Sequence, residues 1–209
     1  MKTKLTYALA FLLSFQTAVH AQELRGKIER SVLELKTIFP QIPKDKVLNL
    51  DQLATKIAAK MGEANHTVVV VDKTNDNVSQ FAMIWLRTGL LHYGLDDNLT
   101  LESAGVESVN SALDLTMLRK YGFRVKNVKD KELFTYEIQY GTNSWEIKRK
   151  SLESLNLRAD NSTKIFVEEN LNENNETDIF EVIFQNKEVI PGEMLYVATR
   201  INTILETKL

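Results

Sequence analysis

The chain has 209 residues, of which 44% are apolar and 26% charged, with a net charge of −2 and no cysteine. These proportions are those of a folded domain rather than a disordered segment, and the excess of acidic over basic residues argues against nucleic acid or an anionic membrane as a partner. Without cysteine there is no disulfide, no lipid-modified cysteine and no thiolate metal site.

Residues 1–21 read as a secretory signal. Lys2 and Lys4 precede a short apolar run from Tyr7 to Phe15, and Val19 and Ala21 put small side chains before a cleavage point at Gln22. The run is too short to span a bilayer comfortably, and an uncleaved anchor is the rival reading. Cleavage after Ala21 leaves 188 residues, 24 of them basic and 28 acidic, a net charge of −4. The product is expected in the periplasm or outside the cell, with no membrane anchor. Only His66 and His92 remain as histidines, too few for a zinc site in a chain without cysteine.

Residues 22–64 are expected to form an N-terminal helical extension. Leu24, Ile28, Val32, Leu33, Leu35 and Ile38 make an apolar stripe over 23–39, which Pro40 and Pro43 end. A second helix is expected from Leu50 or Asp51 to Met61, stopped by Gly62. Residues 65–209 form the main domain. Thr67 to Val71 is a β-branched run suited to a strand buried on both faces. The turn that follows, 72–77, holds no apolar residue, and Val78, Phe81, Ala82, Trp85, Leu86, Gly89 and Leu90 then recur at helical spacing up to Gly94. A strand is expected at 99–103, a helix from Asn110 to Tyr121, a β-hairpin over 134–140 and 144–149, strands at 164–168 and 179–184, and a last helix over 192–206, with a polar loop at 170–178. Alternating strands and helices predict an α/β fold with a doubly wound, mainly parallel four-stranded sheet. Phe81, Trp85 and Trp145 are read as core, and His92 as a helix-end residue.

In such a sheet, ligands bind beyond the C-terminal ends of the strands, and the first strand-to-helix turn is the favoured place for an anion. That turn, from Val70 and Val71 through Asp72, Lys73, Thr74, Asn75, Asp76, Asn77, Val78 and Ser79 to Gln80, resembles the phosphate-binding loop of the low-molecular-weight protein tyrosine phosphatases and arsenate reductases. The likeness continues in the helix from Phe81 to Leu95, in Leu101-Glu102-Ser103-Ala104-Gly105 and in Leu118-Arg119-Lys120-Tyr121-Gly122-Phe123, and the N-terminal helices and the 134–149 hairpin suit a longer bacterial branch. The resemblance implies an anion cradle with Asn75 and Ser79 in supporting places. It also implies that the family's cysteine nucleophile is Asp72 here, that its phosphate-gripping arginine is Val78, and that its general-acid loop is the stretch 184–188, which has neither aspartate nor proline.

Those replacements fall on the chemistry. A carboxylate about 4 Å from a bound phosphate repels it by about 4 kcal/mol at an effective dielectric near 20, and losing the arginine removes a charge-assisted contact worth about 1.5–3 kcal/mol. The expectation is an exported pseudophosphatase without catalytic residues, a binding or structural module in which Asp72, Lys73, Thr74, Asn75, Asp76, Asn77 and Ser79 form the candidate surface. No cofactor is implied. The residues do not name the partner, and an envelope protein is the candidate.

The alternative is a phosphatase or phosphotransferase that uses Asp72 with a divalent cation. Haloacid-dehalogenase-like enzymes place an aspartate at such a strand end, but their Asp-x-Asp-x-Thr is not met by Asp72-Lys73-Thr74-Asn75-Asp76. A weaker cation site of Asp72, Asp76 and Glu168 or Glu169 is weighed against ordinary solvated loop carboxylates.

Overall fold

The computed structural model describes residues 24–63, 66–128, 134–171 and 179–208. The signal segment expected at 1–21 and most of the loop expected at 170–178 lie outside the described residues. Among those residues no helix is long and apolar enough to cross a membrane.

Helices α1 (Gly26–Lys36) and α2 (Lys44–Lys60) come first, then strand β1 (Thr67–Asp72), helix α3 (Asn77–His92), strand β2 (Thr100–Gly105) and the short helix α4 (Thr116–Lys120). Strands β3 (Arg124–Asn127), β4 (Tyr136–Gln139) and β5 (Ser144–Ile147) follow, then β6 (Ser162–Phe166), β7 (Ile179–Glu181) and the final helix α5 (Ile190–Glu206). The main sheet has the order β2-β1-β6-β7 and all its pairs are parallel. The architecture is therefore α/β and fits a doubly wound fold. β3, β4 and β5 form a separate antiparallel sheet.

The central strand explains the layering. Val68, Val69, Val70 and Val71 are all fully buried, as a strand covered on both faces requires. Val68 and Val70 face the helical side, with Phe81, Trp85, Leu86, Ile165, Leu195 and Ile201 in one continuous core. Val69 and Val71 face the other side, with Ala104 and Phe166, under Leu152, Leu155, Leu157, Leu171 and Ile179. One face thus carries long helices and the other a cover of short turns. The antiparallel sheet joins the main core through Trp145, which is 3% exposed and stacks on Tyr140 at 4.2 Å. Trp85 lies edge-on to Tyr121 and Phe123. Both tryptophans are core residues, as the sequence suggested, and His92 Nδ1 pairs with Glu29 Oε2 at 3.1 Å at the end of α3.

Two expectations need correction, and one strand was missed. The second helix starts at Lys44, not near residue 50; Pro43 precedes it, and its first turns are polar or solvent-facing, with Leu48 65% exposed, so no apolar period marks them. The helix expected over 110–121 is reduced to Thr116–Lys120. Long-range partners take up the backbone there: Leu113 N–H donates to the Tyr136 hydroxyl and Asp114 N–H to Asn77 Oδ1, each at 3.0 Å. β3 was not anticipated, because three of its four side chains are exposed. The hairpin and the later strands appear within two residues of their expected starts, the second hairpin strand ending at Ile147.

α3 and α5 cross at Gly89, where an added Cβ would stand 2.5 Å from Ala198 Cβ and 3.1 Å from Leu195 Cδ1. Gly89→Ala gains about 1 kcal/mol of helix propensity but overpacks a rigid contact at about 1–3 kcal/mol. The variant is expected to melt a few degrees lower, at about 2–4 °C per kcal/mol, and Gly89→Ala/Ala198→Gly to recover part of the loss. A higher melting temperature for Gly89→Ala alone would contradict this crossing.

Candidate functional site

β1 ends at Asp72 in the middle of the sheet, between β2 and β6. The chain then turns into α3 at the point where strand order reverses, the usual ligand position in this architecture. The turn is built around the Asp72 side chain. Its carboxylate accepts the N–H of Thr74 (3.1 Å to Oδ1), of Asp76 (3.1 and 2.9 Å to the two oxygens) and of Ser79 (3.1 Å to Oδ2). Asp72 is fully buried, at the N-terminal end of α3, where the helix dipole adds to the attraction. The turn is an anion cradle, and the anion in it belongs to the chain.

A second set of bonds fixes the backbone. Asn75 has φ 51°, in the left-handed region that asparagine tolerates better than most residues. Its amide donates to Ser103 O at 3.1 Å, and its Oδ1 accepts from Ser79 Oγ (3.1 Å) and Gln80 Nε2 (2.9 Å). Gln80 Nε2 also donates to Lys148 O at 3.2 Å. Asn75, Ser79 and Gln80 are fully buried. The turn lies directly on Gly105 of β2, where a Cβ would come within 2.5 Å of Asn75 N and 2.6 Å of Thr74 C. Only glycine admits that approach.

Arg149, just past β5, straps the turn from outside. Its Nη1 donates to Thr74 O (2.7 Å), Nη2 meets Asp76 Oδ1 (3.2 Å) and Ala112 O (3.3 Å), and Nε donates to Ser111 O (3.0 Å). Its side chain is 10% exposed. The guanidinium therefore fastens two chain segments and directs its donors at protein oxygens. Asn77 helps through the bond from Asp114 N–H.

The structure thus brings Asp72, Thr74, Asn75, Asp76, Asn77 and Ser79 into one unit. Lys73 is exposed, its ammonium 3.3 Å from Glu107, and its N–H donates to Glu168 Oε2 at 2.9 Å. Val78 packs against the main core and brings no polar group to the turn. Gln80, Gly105 and Arg149 are the participants that site reasoning from sequence missed. Gly105 had a signal in the Ser-Ala-Gly ending of its strand; Arg149 had none, because it lies 75 residues from Thr74.

Chemically, the arrangement is closed. A nucleophilic Asp72 would need an oxygen facing a substrate, but both oxygens accept backbone N–H groups and the residue has no exposed surface. Asp72, Asp76 and Glu168 point to N–H donors or to Arg149, and among the described residues no three His, Asp or Glu side chains converge on a common point for a metal ion.

The stretch 184–188 lies elsewhere, its Gln185, Asn186 and Glu188 on the wall of a cleft of about 490 Å³ between the α1–α2 corner and the start of α5. The cleft shares no lining residue with the 72–80 turn. Asn186 Oδ1 accepts the N–H groups of Glu188 and Val189 and leads the chain into α5. Glu193, in the first turn of α5, is 7% exposed. Its carboxyl is pushed above the ordinary carboxylate value by burial, partly opposed by the Lys46 ammonium 3.3 Å away.

The chain matches no protein-family model, and no curated protein matches it.

Removing the carboxylate from the cradle leaves its N–H donors buried and unpaired, at about 1–3 kcal/mol for each group left so. Asp72→Asn is expected to lose about 1–3 kcal/mol, and Asp72→Ala about 3 kcal/mol or more, by urea unfolding. Millimolar phosphate should raise the melting temperature of Asp72→Ala by more than that of the wild type, because the emptied cradle then accepts a free anion; equal shifts would show that the N–H groups do not form a cradle. For Glu193 the raised value in the fold means that the folded state binds the proton more tightly than the unfolded chain. Stability from this group is complete below the unfolded value and is lost as pH rises through the folded one. Glu193→Gln should therefore gain on the wild type as pH rises from about 4 towards neutrality, and a pH-independent difference in denaturation midpoints would contradict it.

Proposed function

We propose that the chain is an exported, catalytically silent relative of the low-molecular-weight protein tyrosine phosphatases and arsenate reductases, acting as a binding or structural module. The observation that carries this reading is the buried Asp72 carboxylate, accepting three backbone N–H groups inside the strand-to-helix turn. In the resembled family that space receives the substrate phosphate. Here a phosphate must displace an anion tethered to the loop itself, which competes at high effective concentration.

The other two replacements support the same reading. Val78, at the arginine position, packs on apolar neighbours. In the stretch 184–188, at the general-acid position, Asn186 caps the backbone ahead of α5. Three features of the fold support the reading: a parallel sheet in which β1 lies between β2 and β6, Asn75 and Ser79 bonded to each other within the turn, and Gly105 against it. A scaffold that keeps its shape without its chemistry works through what it touches. An envelope protein is the partner class that an exported chain would meet.

The test is direct. The purified chain starting at Gln22 should not hydrolyse p-nitrophenyl phosphate above the buffer rate, with or without magnesium, and millimolar phosphate should not shift its melting. Hydrolysis that Asp72→Ala abolishes would overturn the proposal. Affinity capture from the native envelope extract should retain a defined protein, and Asp72→Asn, if folded, should retain it equally.

A further inference from the structure

We propose that the cleft at the start of α5 binds a small organic cation, a primary ammonium on an apolar body, with the Glu193 carboxylate as its acceptor. This site is separate from the 72–80 turn and independent of the function proposed above. Its volume of about 490 Å³ is that of a small-molecule site. Ile38, Ile42 and Val189 supply apolar wall, and Gly192 lets Ile38 lie close against the helix, where a Cβ would stand 3.1 Å from Ile38 Cδ1.

The polar groups select the charge. Glu193 is more than nine-tenths buried, and no hydrogen bond reaches its Oε2. Lys46 Nζ stands 3.3 Å away but outside hydrogen-bond geometry. That ammonium donates instead to Ile183 O and lies over the Phe184 ring at 5.1 Å. Glu193 Oε2 is therefore a buried acceptor held by an ion pair with Lys46 but without a hydrogen bond, and a buried acceptor in that state favours a ligand that donates. Asp45 and Glu188 also line the cleft, so three carboxylates face one lysine. That excess rejects anions. At the helix start Pro191 has no N–H and the N–H of Glu193 is bonded to Val189 O. A hard metal ion is a poor fit to one buried carboxylate among aliphatic side chains. An ammonium brings up to three donors and its positive charge, and its apolar body covers the isoleucines.

The probe is hexylammonium, titrated into the isotopically labelled chain and followed by amide NMR shifts, with hexanol and hexanoate as controls of the same body. Hexylammonium is expected to give saturable shifts at 183–193, at least about tenfold tighter than hexanol, and hexanoate none. Glu193→Gln should weaken hexylammonium at least about tenfold, about 1.4 kcal/mol. If that variant does not fold, Val189→Trp, which fills the cleft from its side, should abolish the shifts. Equal binding of hexylammonium and hexanoate, unchanged binding by the folded Glu193→Gln or by Val189→Trp, shifts confined to other residues, or no saturation at about 10 mM would each overturn the proposal. Tighter binding of Nα-acetyl-lysine amide would reassign the ammonium from a free amine to a lysine side chain, and so overturn the free-amine site.

Discussion

Everything around the first strand-to-helix turn depends on one carboxylate satisfying three backbone N–H groups. Buried N–H donors must find acceptors, and a turn that exposes several of them to one point demands an anion there. Asp72 meets the demand from within the turn. The remaining features follow from keeping that geometry closed. Asn75 takes the left-handed conformation and ties the turn to β2, Gly105 clears the space beneath it, and Arg149 binds its outer carbonyl and carboxylate. Each is a consequence of where the anion sits.

The frame that holds this turn is asymmetric. Long helices cover one face of the parallel sheet and share one large core with the antiparallel sheet. The opposite face is closed by a smaller cluster, in which Leu152, Leu155 and Leu157 from irregular chain lie over Val69, Val71 and Phe166. β1 is buried by both layers, so the residue at its end is placed by the most constrained strand of the sheet. A charged side chain at that position is either fully bonded or severely destabilising. The three N–H contacts to Asp72 are the reason it is tolerated.

Much of this was legible in the residues. The valine run, the helix carrying Phe81 and Trp85, and the polar turn between them announce a strand, a helix and a ligand-type loop, since local pattern and burial agree there. The carboxylate at the head of that turn, Asp72, was equally plain. What the sequence could not show was the direction of that carboxylate: repulsion of an incoming phosphate was readable, whereas its fit into the cradle depends on backbone directions set by Asn75. The segment 110–115 has helical texture, but Tyr136, Asn77 and Arg149 compete for its backbone, and all three are distant in sequence. Glu193 was hidden for a different reason. An acid in the first turn of a helix reads as an ordinary complement to the dipole, and only the packing of α2 against α5 buries it.

The strap by Arg149 also sets an order of events in time. The bonds that curl residues 72–79 around their own carboxylate span at most seven positions, so they form as soon as the strand and helix exist. The contact with Ser103 closes 28 positions, and the strap closes 75 to Thr74 and 38 to Ser111. Loop closure of that kind waits for distant chain to arrive. The bonds to the Asp72 carboxylate are therefore the local part of this turn's geometry and the strap its long-range part, the one that carries the larger loop-closure cost.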